Sequence, residues 1–303
     1  MTADDPQLRA LRTEDGSFSL FSPAVGEGFH SGRGAVAEAR SKFVEPAGLE
    51  RWGPGQQLVV VDVCVGTGSN TAALLEAAAA AELELEWWGL ELDPEPLQLA
   101  LADGGFRSQW QPAALERLQG LCAGPQMLWG DARTRLPELL NRRRGQVDLV
   151  LMDAFSPSRC PQLWSVEFLA GLAALLQPQG RLLTYCSAAA VRQGLLLAGL
   201  QLAAIAAPSG LRAERSDWSG GTAASPTALV GDPRLRPLSP MEREHLGTNA
   251  AEPYRDPGGQ GSRSAILQER QRRQRQRLEA GGVEPTGAWR RRWGLTGGAG
   301  HPQ

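Results

Sequence analysis

Lysine is all but missing from this 303-residue chain: Lys42 is the only one, and the rest of its 31 basic residues are arginine. Together with abundant Ala, Gly and Leu, this bias reads as a GC-rich coding sequence and identifies no partner. Histidine is scarce, with three residues, and the four cysteines (Cys64, Cys122, Cys160, Cys186) form no CxxC pair. Zinc-finger spacing is therefore excluded and no metal site is expected. Cys160 reads as a structural thiol. A dominant charge is also lacking: the formal net charge is −2, which favours neither nucleic acid nor an acidic or basic surface. No apolar run approaches the ~20 residues of a membrane span, so no membrane partner is expected. The opening Met1-Thr2-Ala3-Asp4-Asp5 has neither the basic nor the apolar region of a signal peptide. A cytoplasmic protein with reduced thiols is the expectation. With 42% hydrophobic and 21% charged residues, a folded globular core is expected.

What the chain does contain is an alternation. Residues 1–16 read as a polar, flexible lead, and 17–52 as short apolar pieces broken by Gly and Pro. Leu58 to Val65 is a β-branched apolar run suited to a strand buried on both faces. Gly66-Thr67-Gly68-Ser69-Asn70 breaks it, and the Ala- and Leu-rich stretch Thr71 to Ala81 predicts a helix. Further strands are predicted at 85–90, 125–129, 147–152 and 181–186. Helices are predicted at 136–143, 165–176 and 188–198. Leu200 to Ala206 and Thr227 to Val230 suggest a closing strand pair. Strands alternating with helices predict an α/β fold, a mostly parallel sheet covered on both faces. The expected domain is 17–232. A Pro-containing, Arg-rich extension follows over 233–280, then a disordered tail over 281–303. Arg270, Arg273 and Arg277 would share one helix face, read either as solvated or as meeting the phosphates of a partner.

Ligands of open α/β sheets sit at the carboxyl ends of the strands. Those ends read Gly66-Thr67-Gly68, Glu91, Asp131 and Asp153. The glycines admit close backbone approach. Glu91 suits two ribose hydroxyls, and Asp131 suits the adenine amino group. Asp62 and Asn70, flanking the turn, complete the expected cofactor set. The dinucleotide fingerprint G-x-G-x-x-G needs a third glycine where Thr71 stands. S-adenosyl-L-methionine is therefore expected rather than NAD. Asp153 is placed to accept hydrogens from an amine nucleophile and orient it; its competing role is a cap for the next turn. Phe155 and Pro157 would wall a planar base.

The stretch Asp148 to Trp164, DLVLMDAFSPSRCPQLW, resembles the D-x-x-x-x-D-x-F-x-P-x-x-x-P-x-x-W signature of the methyltransferase half of MnmC-type tRNA wobble-uridine modification enzymes. Phe29-His30-Ser31, Gly34-Ala35, Glu38 and Phe43-Val44 are similar to that family's N-terminal motif. The resemblance implies a Rossmann-like class I methyltransferase. It implies methyl transfer from S-adenosyl-L-methionine to the aminomethyl group of 5-aminomethyl(-2-thio)uridine in tRNA. It matches Asp153 to the catalytic aspartate and Gly66, Gly68 and Glu91 to cofactor positions. It also places His30 and Ser31, and Trp164, near the substrate, although His30 also suits a surface position and Trp164 the core. The family's usual tyrosine is Phe29 here, and its first loop glycine is Cys64. The stretch after Gly231 is too short for the family's FAD domain, so a substrate already bearing a free amine is expected. An aminopropyltransferase, a small-molecule amine methyltransferase and a non-catalytic RNA-binding module remain alternatives.

Overall fold

Val60, Val61, Val63, Leu149, Val150 and Leu151 are fully buried, as β-branched and aliphatic residues are when a strand is covered on both faces. In the computed structural model, which describes residues 7–32, 34–206 and 219–295, these residues form the middle of an eight-stranded sheet. A small antiparallel sheet precedes it, made of β1 (Arg9–Arg12), β2 (Phe18–Ser22) and β3 (Glu27–Gly28). The main sheet comprises β4 (Gln57–Val63), β5 (Glu84–Glu91), β6 (Met127–Trp129), β7 (Val147–Met152), β8 (Leu176–Thr184), β9 (Gln201–Ile205), β10 (Gly221–Ser225) and β11 (Leu235–Arg236). Its order is β11-β9-β10-β8-β7-β4-β5-β6. The five strands β6 to β8 across that order are parallel, and β10, β9 and β11 are antiparallel.

The strand alternation divides two cores. Leu58, Val60, Leu149 and Leu151 face one side, beneath helices Ser69–Ala80 and Pro112–Ala123. Val61, Val63, Val150 and Met152 face the other, beneath Ala132–Arg143, Val166–Leu175 and Ala189–Leu197. The chain leaves β4 toward β5 and β6, then returns to pair β7 on the other side. The crevice between the ends of β4 and β7 is thus a topological switch point, where ligands of such sheets bind.

Four expectations need correction. The closing strand lies at Gly221–Ser225, not 227–230; the small residues of Gly221-Thr222-Ala223-Ala224-Ser225 fit its fully buried place between β8 and β9. The lead is not wholly without structure, since Arg9–Arg12 pairs with β2; residues 1–6 lie outside the described residues. The tail is not structureless over 281–295. Thr286–Arg292 is helical, and Trp289 is 1% exposed and stacks on His245 at 4.2 Å. A single buried indole anchors a segment whose composition is otherwise polar; the rest of the tail, 296–303, falls outside the described residues.

The fourth concerns the arginine face. Helix Arg263–Glu279 exists, but Arg270, Arg273 and Arg277 are turned toward the segment around Glu252. Arg270 donates to the carbonyls of Glu252 (2.6 Å) and Ala250 (2.8 Å) and lies over the Tyr254 ring. Arg273 and Arg277 pair with the two oxygens of Glu252 at 2.9 and 3.0 Å. These side chains replace an apolar stripe in docking the helix. Each is engaged within the fold, although the Arg277 side chain stays 40% exposed.

Candidate functional site

The turn after β4 is built for close backbone approach. Gly66 and Gly68 have φ of +57° and +82°, a region L side chains rarely adopt. A Cβ at Gly66 would stand 3.2 Å from the Phe29 ring, and one at Gly68 3.0 Å from Leu97 and Leu118. Cys64, where the resembling family has glycine, also has positive φ, +64°. Its thiol is pushed well above the usual range by burial, so it stays protonated. A non-glycine residue in this region stores about 1–2 kcal/mol of strain. Cys64→Gly is expected to raise stability by up to about 1 kcal/mol, less the thiol's packing, without weakening cofactor binding. A thermal melt checks this, and a lowered melting temperature would show that thiol packing outweighs strain.

Glu91 ends β5 beside this turn. Its Oε2 accepts from the Gly66 amide at 2.8 Å and its Oε1 from the Leu92 amide at 2.6 Å. Burial still raises its pKa above the ordinary value, against those amides. Sequence reasoning missed the neighbour Leu92, which is 70% exposed. An apolar side chain this exposed at a strand end has no packing explanation; only the structure separates it from the core leucines around it.

Asp62 is fully buried beneath the turn, so it has no surface to offer a cofactor, contrary to expectation. Its Oδ2 accepts from Thr71 Oγ1 at 2.5 Å, and that hydroxyl accepts from Trp87 Nε1 at 3.0 Å. Burial pushes the Asp62 carboxyl up to about 7. Among the described residues Oδ1 has no hydrogen-bond partner. The same chain of bonds fills, with the buried Thr71 side chain, the position where a dinucleotide site needs glycine.

Asn70, expected at the cofactor, instead donates from Nδ2 to Asp153 Oδ2 at 2.7 Å. It begins the helix after the turn, and Asp153 follows β7, so this bond spans the switch point. Asp153 is half-buried, its amide donating to the Val63 carbonyl at 3.1 Å. Burial pushes its carboxyl up to about 7 despite the Asn70 bond, with Glu38 and Asp62 adding to the rise and Lys42 opposing it. Its side chain caps no helix in this arrangement.

Asp131 caps helix Ala132–Arg143, and both its oxygens engage Arg133. Arg133 in turn pairs with Asp256 at 2.8 Å. The expected adenine contact would have to share a carboxylate already held in this ion-pair chain.

The opposite wall comes from the N-terminal motif. Phe29 meets Phe155 edge to face, centroids 5.0 Å apart. His30 Nδ1 lies 3.0 Å from Ser19 Oγ, and burial lowers the ring's pKa to about 4, so the imidazole is neutral near pH 7. Ser31 is exposed and donates its amide to Glu38 Oε2 at 2.9 Å. Glu38 Oε1 takes Lys42 Nζ at 2.6 Å, within a π-helical turn, Ala39–Val44. Lys42 Nζ also sits 5.8 Å from the Tyr185 ring. Lys42 was visible in the sequence as the sole lysine, but nothing there placed it by the site.

Trp164 and Pro157 do not wall a cleft. Trp164 is 0% exposed and Pro157 is buried. Trp164 Nε1 donates to the Phe155 carbonyl at 2.8 Å, and Tyr185 Oη donates to the Ala154 carbonyl at 3.0 Å. Both hold the loop after Asp153 from below, which leaves Phe29 and Phe155 as the aromatic surface. Among the described residues no group of His, Cys, Asp and Glu could hold a metal, and no helix is long and apolar enough to cross a membrane.

Residues 110–212 match the S-adenosyl-L-methionine-dependent methyltransferase family. The tRNA 5-methylaminomethyl-2-thiouridine biosynthesis bifunctional protein MnmC of Pseudomonas aeruginosa is 31% identical over 252 residues, 76% of this chain and 37% of that protein. The protein of the same name from Burkholderia multivorans is 32% identical over 69% of this chain and 34% of its own length. The chain thus spans about a third of the curated relatives it matches. The crystal structure of MNMC2 from Aquifex aeolicus superposes with a TM-score of 0.71 at 27% identity, covering 89% of this chain and 85% of that one. A probable spermidine synthase from Corynebacterium glutamicum, at TM-score 0.50 and 14% identity, shares the fold.

Proposed function

We propose that this chain, which belongs to the S-adenosyl-L-methionine-dependent methyltransferase family, methylates the aminomethyl group of 5-aminomethyl(-2-thio)uridine at the wobble position of tRNA. The observation that carries the reading is the Asp153 carboxylate, held by Asn70 at the switch point beside the Gly66–Gly68 turn. A tRNA substrate would place the enzyme in the cytoplasm. The uridine would arrive already bearing a free amine.

The residues present fit the cofactor. The two glycines leave backbone where a Cβ would collide, and Glu91 is fixed beside them by the amides of Gly66, Leu92 and Asp93. Glu91 Oε2, which accepts from the Gly66 amide alone, retains a lone pair for a ribose hydroxyl, and Leu92 offers an apolar face for adenine. S-adenosyl-L-methionine supplies, when bound, a methyl on an electron-poor sulfur. Asp153 accepts hydrogen bonds from the substrate amine, points the nitrogen lone pair at the methyl and takes the proton released when the N–C bond forms and the S–C bond breaks. Asn70 fixes the direction of that carboxylate. Phe29 and Phe155 pack on the uracil ring and exclude water.

Incubation with S-adenosyl-L-methionine and tRNA lacking this methylation, followed by nucleoside mass spectrometry, tests the reading. A gain of one methylene on the wobble uridine is expected; an unmodified nucleoside under cofactor saturation would sink it. Glu91→Ala should weaken cofactor affinity by about ten- to a hundred-fold, since a charge-assisted hydrogen bond is worth roughly 1.5–3 kcal/mol. Calorimetry decides, and an unchanged dissociation constant would remove Glu91 from the cofactor site.

A further inference from the structure

Most arginines near the site are neutralised within the fold. Arg133 lies between Asp131 and Asp256, Arg255 pairs with Glu167, and Arg273 and Arg277 share Glu252. Two are not. Arg159 is exposed, on the loop that carries Asp153 and Phe155. Its guanidinium lies over the turn before β3, 3.6 Å from where a Cβ on Gly26 would stand. The neighbouring Glu27 is engaged elsewhere, its Oε2 accepting from the amide and hydroxyl of Ser156, both at 3.0 Å. Arg263, also exposed, opens helix Arg263–Glu279 and donates from Nε to the Ser158 carbonyl at 3.1 Å. That carbonyl belongs to the peptide leading into Arg159, so both guanidinium groups sit on the same edge of the loop. Among the described residues neither forms an ion pair.

We propose that Arg159 and Arg263 form a phosphate-binding rim that grips the RNA backbone next to the uridine entering the cleft. This rests on the tRNA reading above and adds which residues hold the polymer. Guanidinium groups pair with phosphate through two parallel N–H donors, and among the described residues the terminal NH₂ groups of Arg263 have no other partner after its Nε bonds Ser158. An enzyme acting on a base must draw it out of its stack. The phosphates on either side of that nucleotide then stay at the mouth of the cleft, where these two side chains stand. The inward-turned Arg270 face explains the division of labour: the extension docks through Arg270, Arg273 and Arg277, and by docking presents Arg263 beside the reactive loop.

The test measures tRNA affinity against salt by filter binding, independently of methylation. The proteins are wild type, the double variant Arg159→Gln/Arg263→Gln, and a charge-matched control, Arg290→Gln/Arg291→Gln, whose residues are exposed on helix Thr286–Arg292. Each single-strand phosphate contact contributes about 0.7 to the slope of log affinity against log salt. The rim variant should lose about 1.4 of slope with unchanged cofactor affinity and melting temperature, and the control should keep the wild-type slope. An unchanged slope in the rim variant, an equal loss in the control, or a wild type that does not bind tRNA would each overturn the rim. A wild type that binds with the expected slope change yet does not methylate would sink the functional reading alone.

Discussion

Asp153→Asn is expected to keep the fold and cofactor affinity while cutting single-turnover methyl transfer to tRNA by at least about a hundred-fold. General-base and positioning effects of one side chain are typically worth about 10²–10⁴. Asparagine preserves shape and one acceptor, so the Asn70 bond of 2.7 Å survives. It removes the charge that neutralises the departing proton. The wild-type rate should fall as pH drops below about 7, where Asp153 takes up a proton, because burial holds its carboxyl there. The variant should lose that limb. Stability runs the other way. A carboxyl whose pKa is raised in the folded state favours folding fully below its unfolded value near 3.8, and that contribution is lost as pH rises through 7. The variant's melting temperature should therefore equal or slightly exceed the wild type's at pH 8. Labelled cofactor in single-turnover assays, with melts as the folding control, reads all three. A near-normal rate in a folded variant would end the catalytic assignment. A lost rate with a collapsed melt would show that Asp153 supports the loop instead.

Glu242→Ala carries the largest expected loss of stability. Arg192, 1% exposed on helix Ala189–Leu197, donates to Glu242 Oε1 at 3.1 Å, to Thr222 at 3.0 Å and to Ser219 at 2.6 Å. Arg236 and the Ser239 amide occupy Glu242 Oε2 at 2.8 and 2.9 Å. Glu242 thereby joins the extension to β10 and to the helix behind it. Removing it leaves the Arg192 cation buried and unpaired, which typically costs about 3–5 kcal/mol. Glu242→Gln should cost less, since it keeps an acceptor for Arg192. Burial alone would raise the Glu242 pKa, but Arg192 and the surrounding donors outweigh it and hold it at about 2. Its contribution is thus complete above the unfolded value near 4.5 and disappears as pH falls through 2. Denaturant melts of both variants at pH 7 and 3 check this. A Glu242→Ala midpoint like the wild type's would mean the network is solvated and weak.

The alternating strands were legible because a strand buried on both faces has to be a continuous apolar run, as in Leu58-Val59-Val60-Val61 and Leu149-Val150-Leu151-Met152. The Gly66-Thr67-Gly68 turn, Glu91 and Asp153 were legible too. Each ends its own strand, and parallel strands bring their carboxyl ends to one edge. The family signature around Asp153 narrowed the chemistry further. β10 was misplaced because Gly221-Thr222-Ala223-Ala224-Ser225 lacks the bulky residues that mark a strand; its burial comes from β8 and β9 on either side.

What the sequence determined by itself is therefore the layered sheet and which residue types end its strands, since both follow from local pattern and chain direction. Only the tertiary structure decided which polar side chains pair with each other. Asn70 turned out to belong to Asp153, Asp62 to Thr71, and Arg270, Arg273 and Arg277 to the segment around Glu252. Trp289 stands in polar surroundings of sequence, and both it and Trp164 are core. A hydrogen bond between residues distant in the chain leaves no periodicity for the sequence to display. Its partners are chosen by the packing of the elements that carry them.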